Sequence, residues 1–405
     1  MRLDRITADL PTDVPFATVV LDATRESETG EQAVLTRWKD LRRSLEGQGA
    51  PEDALEALEE RVRVISRAGG QHGRVLVAAG GEILLDCSLA EPPAADEALF
   101  AEGPNAFALA RVADEHVRYL LVAVDRSGAD LTLHDSAQAA AAKNGTTSLE
   151  GGHDVLTKAG AGSRAQGGFR TGGRAQRRFE TRAEDSWERN AEAVAAELDR
   201  IVGQRHPELV VLTGDVRARA LVVDAVGPAT REALAVVEGG SRADGVKEGV
   251  FAARVRDTLQ EFRLRRREVV LDRFRQFQGQ DGPALTGRMD VLDVLRRGQV
   301  AELIVTEAVA GPPSSLAGKN LWVGDTPLEI GLSEQDVADL GVSTPRKMRA
   351  DLALGRAALA QGAGITVADE ASIALADGVG ALLRWHDAAT PNDRVFSQSA
   401  DAHRV

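Results

Sequence analysis

Cysteine is almost missing from this 405-residue chain, and Cys87 stands alone. One thiol excludes an intrachain disulfide and a cysteine-cluster zinc site, and it fits a reducing compartment. Aromatic residues make up only 4%, with a single tyrosine, which argues against an extended base-stacking platform. No run approaches the roughly 18 apolar residues that cross a bilayer. The opening MRLDRITADLPTD has no apolar signal-peptide core, so a cytoplasmic protein with no membrane partner is expected. The seven histidines (His72, His116, His134, His153, His206, His386 and His403) form no pair four apart enclosing a carboxylate, so no metal is expected. Gly311 and Gly318-Lys319 are wrongly spaced for a phosphate-binding P-loop, and Asn320 stands where Ser or Thr is needed. Neither a dinucleotide fingerprint nor a Gly-x-Ser-x-Gly elbow is present, so no cofactor is expected. A formal charge of −13 with pI near 5.2 excludes coating nucleic acid with the whole surface, and DNA is not expected as a partner.

What is present reads as an α/β protein of three domains. FATVVL (16–21) is a strand, and helices run through Val34, Trp38, Leu41 and Leu45 and then through Leu55, Leu58, Val62 and Ile65. RVLVAA and EILLDC flank Gly80-Gly81 as a hairpin, and the acidic EPPAADEA (91–98) closes an N-terminal α/β domain, 1–105. The middle domain, 106–277, opens with a hairpin around Asp125-Arg126-Ser127-Gly128. A loop, a helix through Trp187, Ala191, Val194, Leu198 and Ile201, and the buried-type strand LVVLTGD follow. ARALVVDAV (218–226) is a further element, helical at its start, and the arginine-rich 243–277 reads as a helix bridging domains. The C-terminal domain, 278–390, alternates helix 290–298, strand 299–307, strand 320–324, helix 345–362 and strand 363–369, which suggests a three-layer α/β arrangement. A loose tail, 391–405, ends the chain.

The loop 151–178 concentrates opposite chemistry to the rest of the chain. Lys158, Arg164, Arg170, Arg174, Arg177 and Arg178 fall between Val155 and Phe179 with no acid among them. Gly167, Gly168, Gly172 and Gly173 belong to the same stretch. Glycine permits close approach of backbone to a ligand, and arginine grips phosphate bidentately and stacks on bases. The pattern describes either a loop that orders on a polyanion, RNA above all, or a solvated surface insertion. FRLRRRE (262–268) has acids interspersed, and a solvated interdomain helix is its plainer reading.

GGRAQRRFETRAEDSWERNAEAV resembles the middle domain of the archaeo-eukaryotic class-one release factor and Pelota superfamily. DVLDVLRRGQVAELIVTE, and LALGRAALAQGAGITVADE followed by GVGALLRW, resemble its last domain. The resemblance extends to the superfamily's bacterial branch, including Balon-type ribosome hibernation factors. The resemblance implies a ribosome partner, with an elongation factor as a candidate for delivery. In the release factors a Gly-Gly-Gln loop enters the peptidyl transferase centre. Aligning Arg178-Phe179 here places Gly172-Gly173 on the glycines and Arg174 on the hydrolytic glutamine. A second register offers Gln176 as the amide, and Gln166 is a third.

No Asn-Ile-Lys-Ser stop-codon motif stands in the first domain. Its acidic face, from Asp40, Glu46, Glu52 and Asp53 to Glu59 and Glu60, suits either protein contact or plain solvation. Three functions follow. The first is a ribosome-binding, rRNA-binding factor that fills the A site of idle ribosomes and blocks the peptidyl transferase centre without catalysis. The second is an enzyme hydrolysing peptidyl-tRNA through Gln176. The third is a stress-linked protein-interaction module.

Overall fold

The computed structural model describes residues 3–7, 10, 11, 14–25, 30–64, 71–134, 146–150, 172–242, 248–278, 282–312, 314–387 and 389–391. The chain forms two compact units. One gathers the described residues up to His116 and from Arg263 onward, the other those from Val117 to Phe262. The architecture is mixed α/β, with one sheet of five strands, two of four and one of three. The unit boundaries fall at 116/117 and 262/263, where the sequence suggested 105/106 and 277/278.

In the first unit, strands β1 (Phe16–Asp22), β2 (Gly73–Ala79), β3 (Glu82–Leu89) and β4 (Glu97–Ala101) form an antiparallel sheet ordered β3-β2-β1-β4. Both faces of β1 are covered, which is why FATVVL is continuously apolar rather than alternating. Ala17, Val19 and Leu21 pack on the amphipathic helices Gly30–Gly47 and Glu52–Arg63. Phe16 and Val20 join the opposite core, with the helix Ala106–Glu115. β4 extends the sheet through residues that the sequence treated as the tail of a domain. The helix 106–115, AFALARVADE, carries no periodic polar face because seven of its residues are buried apolar side chains, Ala106 through Ala110, Val112 and Ala113. Asn105 caps it, its Oδ1 accepting from Phe107 N at 3.1 Å and Ala108 N at 3.2 Å.

The core around that helix continues into the C-terminal residues Leu285, Val291, Leu295, Val300, Leu354 and Ile365, so the N-terminal and C-terminal segments share one hydrophobic interior. Gly355 meets Ala106 so closely that a β-carbon at 355 would lie 2.6 Å from the Ala106 methyl.

In the second unit, β5 (Tyr119–Val124), β6 (Gly128–His134), β7 (Thr146–Glu150), β8 (Leu209–Gly214) and β9 (Leu234–Val236) form a sheet ordered β7-β6-β5-β8-β9, with β5, β8 and β9 parallel. Leu120, Val122, Val124, Val210 and Leu212 face the helices Gly172–Arg205 and Val216–Ala225. Leu209 and Val211 face Val255 and Phe251 of the helix Glu248–Phe277. Residues 216–225 are helical throughout, beyond the partial helix expected there.

The remaining strands of the first unit are β10 (Ala284–Thr286), β11 (Val300–Thr306), β12 (Asn320–Val323), β13 (Ile330–Gly331), β14 (Arg346–Arg349), β15 (Gly364–Ala368) and β16 (Val379–Leu383). They make a mixed sheet β10-β16-β11-β15 and a small sheet β13-β12-β14. The helix expected over 345–362 is shorter: residues 346–349 pair with β12, and the helix is Ala350–Ala360. PRKMR has no apolar helical stripe, and ladder hydrogen bonds to β12 satisfy its backbone instead. Among the described residues, no helix is long and apolar enough to cross a membrane, and no group of three His, Cys, Asp or Glu could hold a metal. The expected loose tail lies, from residue 392, outside the described residues.

Candidate functional site

The described residues that flank the glycine-rich stretch are the end of β7 and the start of a long helix. β7 ends at Glu150, paired with Gly128 beside the carboxyl end of β5. The next described residue is Gly172, where a 34-residue helix begins. That helix returns antiparallel to β8, so its start lies toward the carboxyl ends of β5 and β8, the end where ligands collect in open α/β sheets.

Lys158, Arg164, Gly167, Gly168 and Arg170, with Gln166, lie outside the described residues. Gly172, Gly173, Arg174, Gln176, Arg177 and Arg178 are on the first two turns of the helix, not in the loop that the sequence extended to 178. A helix admits glycine and arginine alike when packing or a ligand outweighs the roughly 1 kcal/mol that each glycine costs. Positions 174, 177 and 178 fall on one face, as residues three and four apart do. Position 176 lies roughly 200° from 174 around the axis. Between Gly172 and Trp187 the helix rises about 22 Å before its first described side chain.

Trp187 is where that helix meets the sheet. The Arg126 guanidinium carbon lies 5.0 Å from the Trp187 ring centroid and that of Arg217 lies 4.8 Å from it. The three residues come from the β5–β6 turn, the long helix and the first turn of helix 216–225. Each is held from behind. Asp125 Oδ1 accepts from Ser127 N at 2.7 Å and Gly128 N at 3.0 Å, which fixes the turn that carries Arg126. Asn190 Nδ2 donates to the Arg126 carbonyl at 3.0 Å. Asp215 caps its helix by accepting from Arg217 N at 3.0 Å and Ala218 N at 3.1 Å.

Arg242 locks the same turn, pairing with Asp125 Oδ1 at 2.9 Å and Asp130 Oδ2 at 3.1 Å. Burial alone would raise the Asp125 carboxyl. The Ser127 hydroxyl and N–H, then Arg242, hold it below the usual carboxylate range. This cluster has no sequence signal, because its members are separated by 61 and 30 residues.

Two other charged features resolve into structure. Arg42 bonds Glu46, Glu52 and Glu59, while Arg43 pairs with Asp40 and Arg63 with Glu59, so the acidic face of the first domain is largely neutralised within itself. In FRLRRRE, Arg263 Nε donates to the Asp114 carbonyl at 2.9 Å, Arg266 Nη2 to the same oxygen at 2.9 Å, and Arg267 pairs with the Asp114 carboxylate. Those arginines close the carboxyl end of helix 106–115, where orphan carbonyls need donors, instead of being merely solvated.

The family description "Bacterial archaeo-eukaryotic release factor family 2" matches residues 118–280, the span that carries this sheet, the loop and the long helices. Over 391 residues the chain is 30% identical to the uncharacterized protein Rv2629 of Mycobacterium tuberculosis strain H37Rv, covering 95% of this chain and 97% of the relative. The chain belongs to the bacterial archaeo-eukaryotic release factors. Among solved structures it is similar to Saccharomyces cerevisiae Dom34, described as a translation termination-like factor involved in RNA quality control pathways and interacting with Hbs1. That likeness has 11% identity and a TM-score of 0.38, over 79% of this chain and 81% of Dom34. Archaeoglobus fulgidus Pelota gives 15% identity and a TM-score of 0.34, over 78% of this chain and 80% of that one.

Proposed function

We propose that this protein is a ribosome-binding translation factor that fills the A site of idle ribosomes and occupies the peptidyl transferase centre without hydrolysing peptidyl-tRNA. Family membership supports a translation factor. The observation that carries the non-hydrolytic reading is Arg174 directly after Gly172-Gly173, at the start of the long helix, where the release factors that the sequence resembles have glutamine. Arginine has no neutral amide with which to position water, and its fixed charge favours phosphate. With 172–178 helical, Gln176 stands on the far side of the helix from Arg174, so one orientation does not present both. Lys158, Arg164, Arg170, Arg174, Arg177 and Arg178 then offset rRNA charge, and Gly167 and Gly168 let the chain approach it.

Cosedimentation with 70S ribosomes from starved and growing cells tests this. Enrichment on starved-cell ribosomes is expected, together with inhibited peptide transfer in a puromycin reaction. Absence from ribosomes in both states would overturn the reading in favour of a protein-interaction module. Release of labelled peptide from ribosomal peptidyl-tRNA, lost in Gln176→Ala, would replace blockade with hydrolysis.

A further inference from the structure

A cavity of about 670 Å³ opens in the first unit, beside the helix Ala350–Ala360. Leu10, Val14 and Phe16 line it from the start of the chain, and Met348, Leu352 and Leu359 line it from β14 and the helix. Packed interiors leave few voids larger than a water molecule, and this volume with apolar walls is that of a small-molecule pocket.

The cation that lines it is Arg356, on the same helical face as Leu352 and Leu359, four residues after the one and three before the other. Its Nη2 donates to the Asp325 carbonyl at 2.5 Å, and its Nη1 to the Gly324 and Thr326 carbonyls at 3.4 Å each. The turn that carries those carbonyls follows β12. It is closed by Gly324 N on the Glu329 carbonyl and Thr326 N on the Glu329 carboxylate, both at 2.8 Å. The guanidinium is thereby held in place, while its Nε–H and one Nη2–H make no hydrogen bond among the described residues.

Carbonyls satisfy N–H groups without neutralising the charge. Among the described residues no carboxylate pairs with Arg356. Glu102 is held by Arg346, Glu329 by its own turn, and Asp325 is exposed to solvent. Burial, then the charge of Arg346, holds the Arg356 guanidinium below its usual range, against the weaker pull of Glu102, Glu329 and Asp325. A half-buried cation beside apolar walls therefore lacks a counter-ion.

We propose that this cavity binds a small amphiphilic carboxylate, its apolar tail against Phe16, Met348 and Leu359 and its carboxylate on the N–H groups that Arg356 has left. Guanidinium and carboxylate form strong charge-assisted hydrogen bonds. One cation matches a single negative charge, which favours a carboxylate over a phosphate monoester carrying nearly two. Neither the cavity nor its ligand depends on the ribosome reading.

The test titrates the full chain calorimetrically with three probes of one tail length: octanoate, octanamide and octylamine. Octanoate is expected to bind about tenfold more tightly than octanamide, because charge-assisted hydrogen bonds exceed neutral ones. Octylamine, repelled by Arg356, should bind most weakly. Added salt should weaken octanoate and leave octanamide unchanged. Arg356→Gln should bind octanamide as wild type does and lose the preference for octanoate. Arg265→Gln, exposed on another helix, should keep that preference. Retained octanamide binding shows an intact cavity, and the ranking of probes on wild type needs no variant.

Equal binding of octanoate and octanamide by wild type would overturn the carboxylate assignment, and binding of none of the three would overturn the site. An Arg356→Gln protein that kept the full preference would place the ligand elsewhere and overturn it too. Binding of an apolar peptide with a free carboxyl terminus, without binding of octanoate, would replace the small ligand with a chain end.

Discussion

Gly214, with φ of +113°, lies against Val124 so closely that a β-carbon on it would overlap the Val124 carbonyl oxygen. That oxygen already accepts from Asp215 N at 2.9 Å. The contact joins the carboxyl ends of β5 and β8 and sets where Asp125 and Asp215 leave the sheet, and with them Arg126 and Arg217. Gly214→Ala combines a disfavoured backbone conformation with a backbone overlap, and should cost about 3 kcal/mol or more. Urea denaturation of the purified variant checks it, and a loss under about 1 kcal/mol would show that the strand ends can part freely.

Asp114 is the common partner of Arg263, Arg266 and Arg267, and its side chain is 11% exposed. Asp114→Ala strips the carboxylate from three neighbouring cations. A destabilisation of about 3 kcal/mol is expected, because a half-buried charge left without its partner keeps its desolvation cost. The measurement is the shift in denaturation midpoint at constant m. Arg265→Ala, exposed on the same helix, is the control and should shift it by less than about 0.5 kcal/mol.

Asp86 sits between Arg74 and Arg61, with Arg74 Nε at 2.7 Å. Burial pushes its carboxyl up, but the hydrogen bond and charge of Arg74, then those of Arg61, outweigh it and leave it below the usual range. A carboxyl with a depressed folded value stabilises the fold above its unfolded value, near pH 4, and loses that contribution as pH falls through the folded value. Wild type and Asp86→Asn should therefore differ most at neutral pH and converge below about pH 4. A difference that stays constant down to pH 2, or widens there, contradicts the sign.

Cys87 is 1% exposed in the core beneath β2 and β3, and burial pushes its thiol up to about 12, with the Asp86 charge adding to the shift. The thiolate is the reactive form, so the native protein should not react with a disulfide reagent at pH 8. One equivalent of thiol should appear on unfolding in denaturant. Rapid labelling of the native protein would place Cys87 at an accessible surface.

Much of the fold was legible because several segments bury whole faces. FATVVL, RVLVAA and LVVLTG are continuously apolar since both sides of their sheets are covered, and Val34, Trp38, Leu41 and Leu45 mark one helical stripe over β1. Helix 106–115 had no stripe to read, because it is apolar nearly all round. β14 had no alternation to read, because its pairing with β12 gives RKMR its conformation. The site was legible only in part. Arginine and glycine density marked the approach to the long helix, but the start of that helix at Gly172 was not marked, since Gly-Gly-Arg carries no helix-starting signal.

Residue order alone sets the α/β class, the lack of an intrachain disulfide, the concentration of positive charge before and into a long helix, and Arg174 after two glycines. Those properties depend on composition and local period, which a linear chain states directly. Only tertiary structure decided that the N-terminal and C-terminal segments share one core, that FRLRRRE closes the end of helix 106–115, and that Arg126, Trp187 and Arg217 meet. Each of those joins residues separated by tens to hundreds of positions. Their meeting is fixed by which faces bury together, and that choice is made by packing over the whole unit.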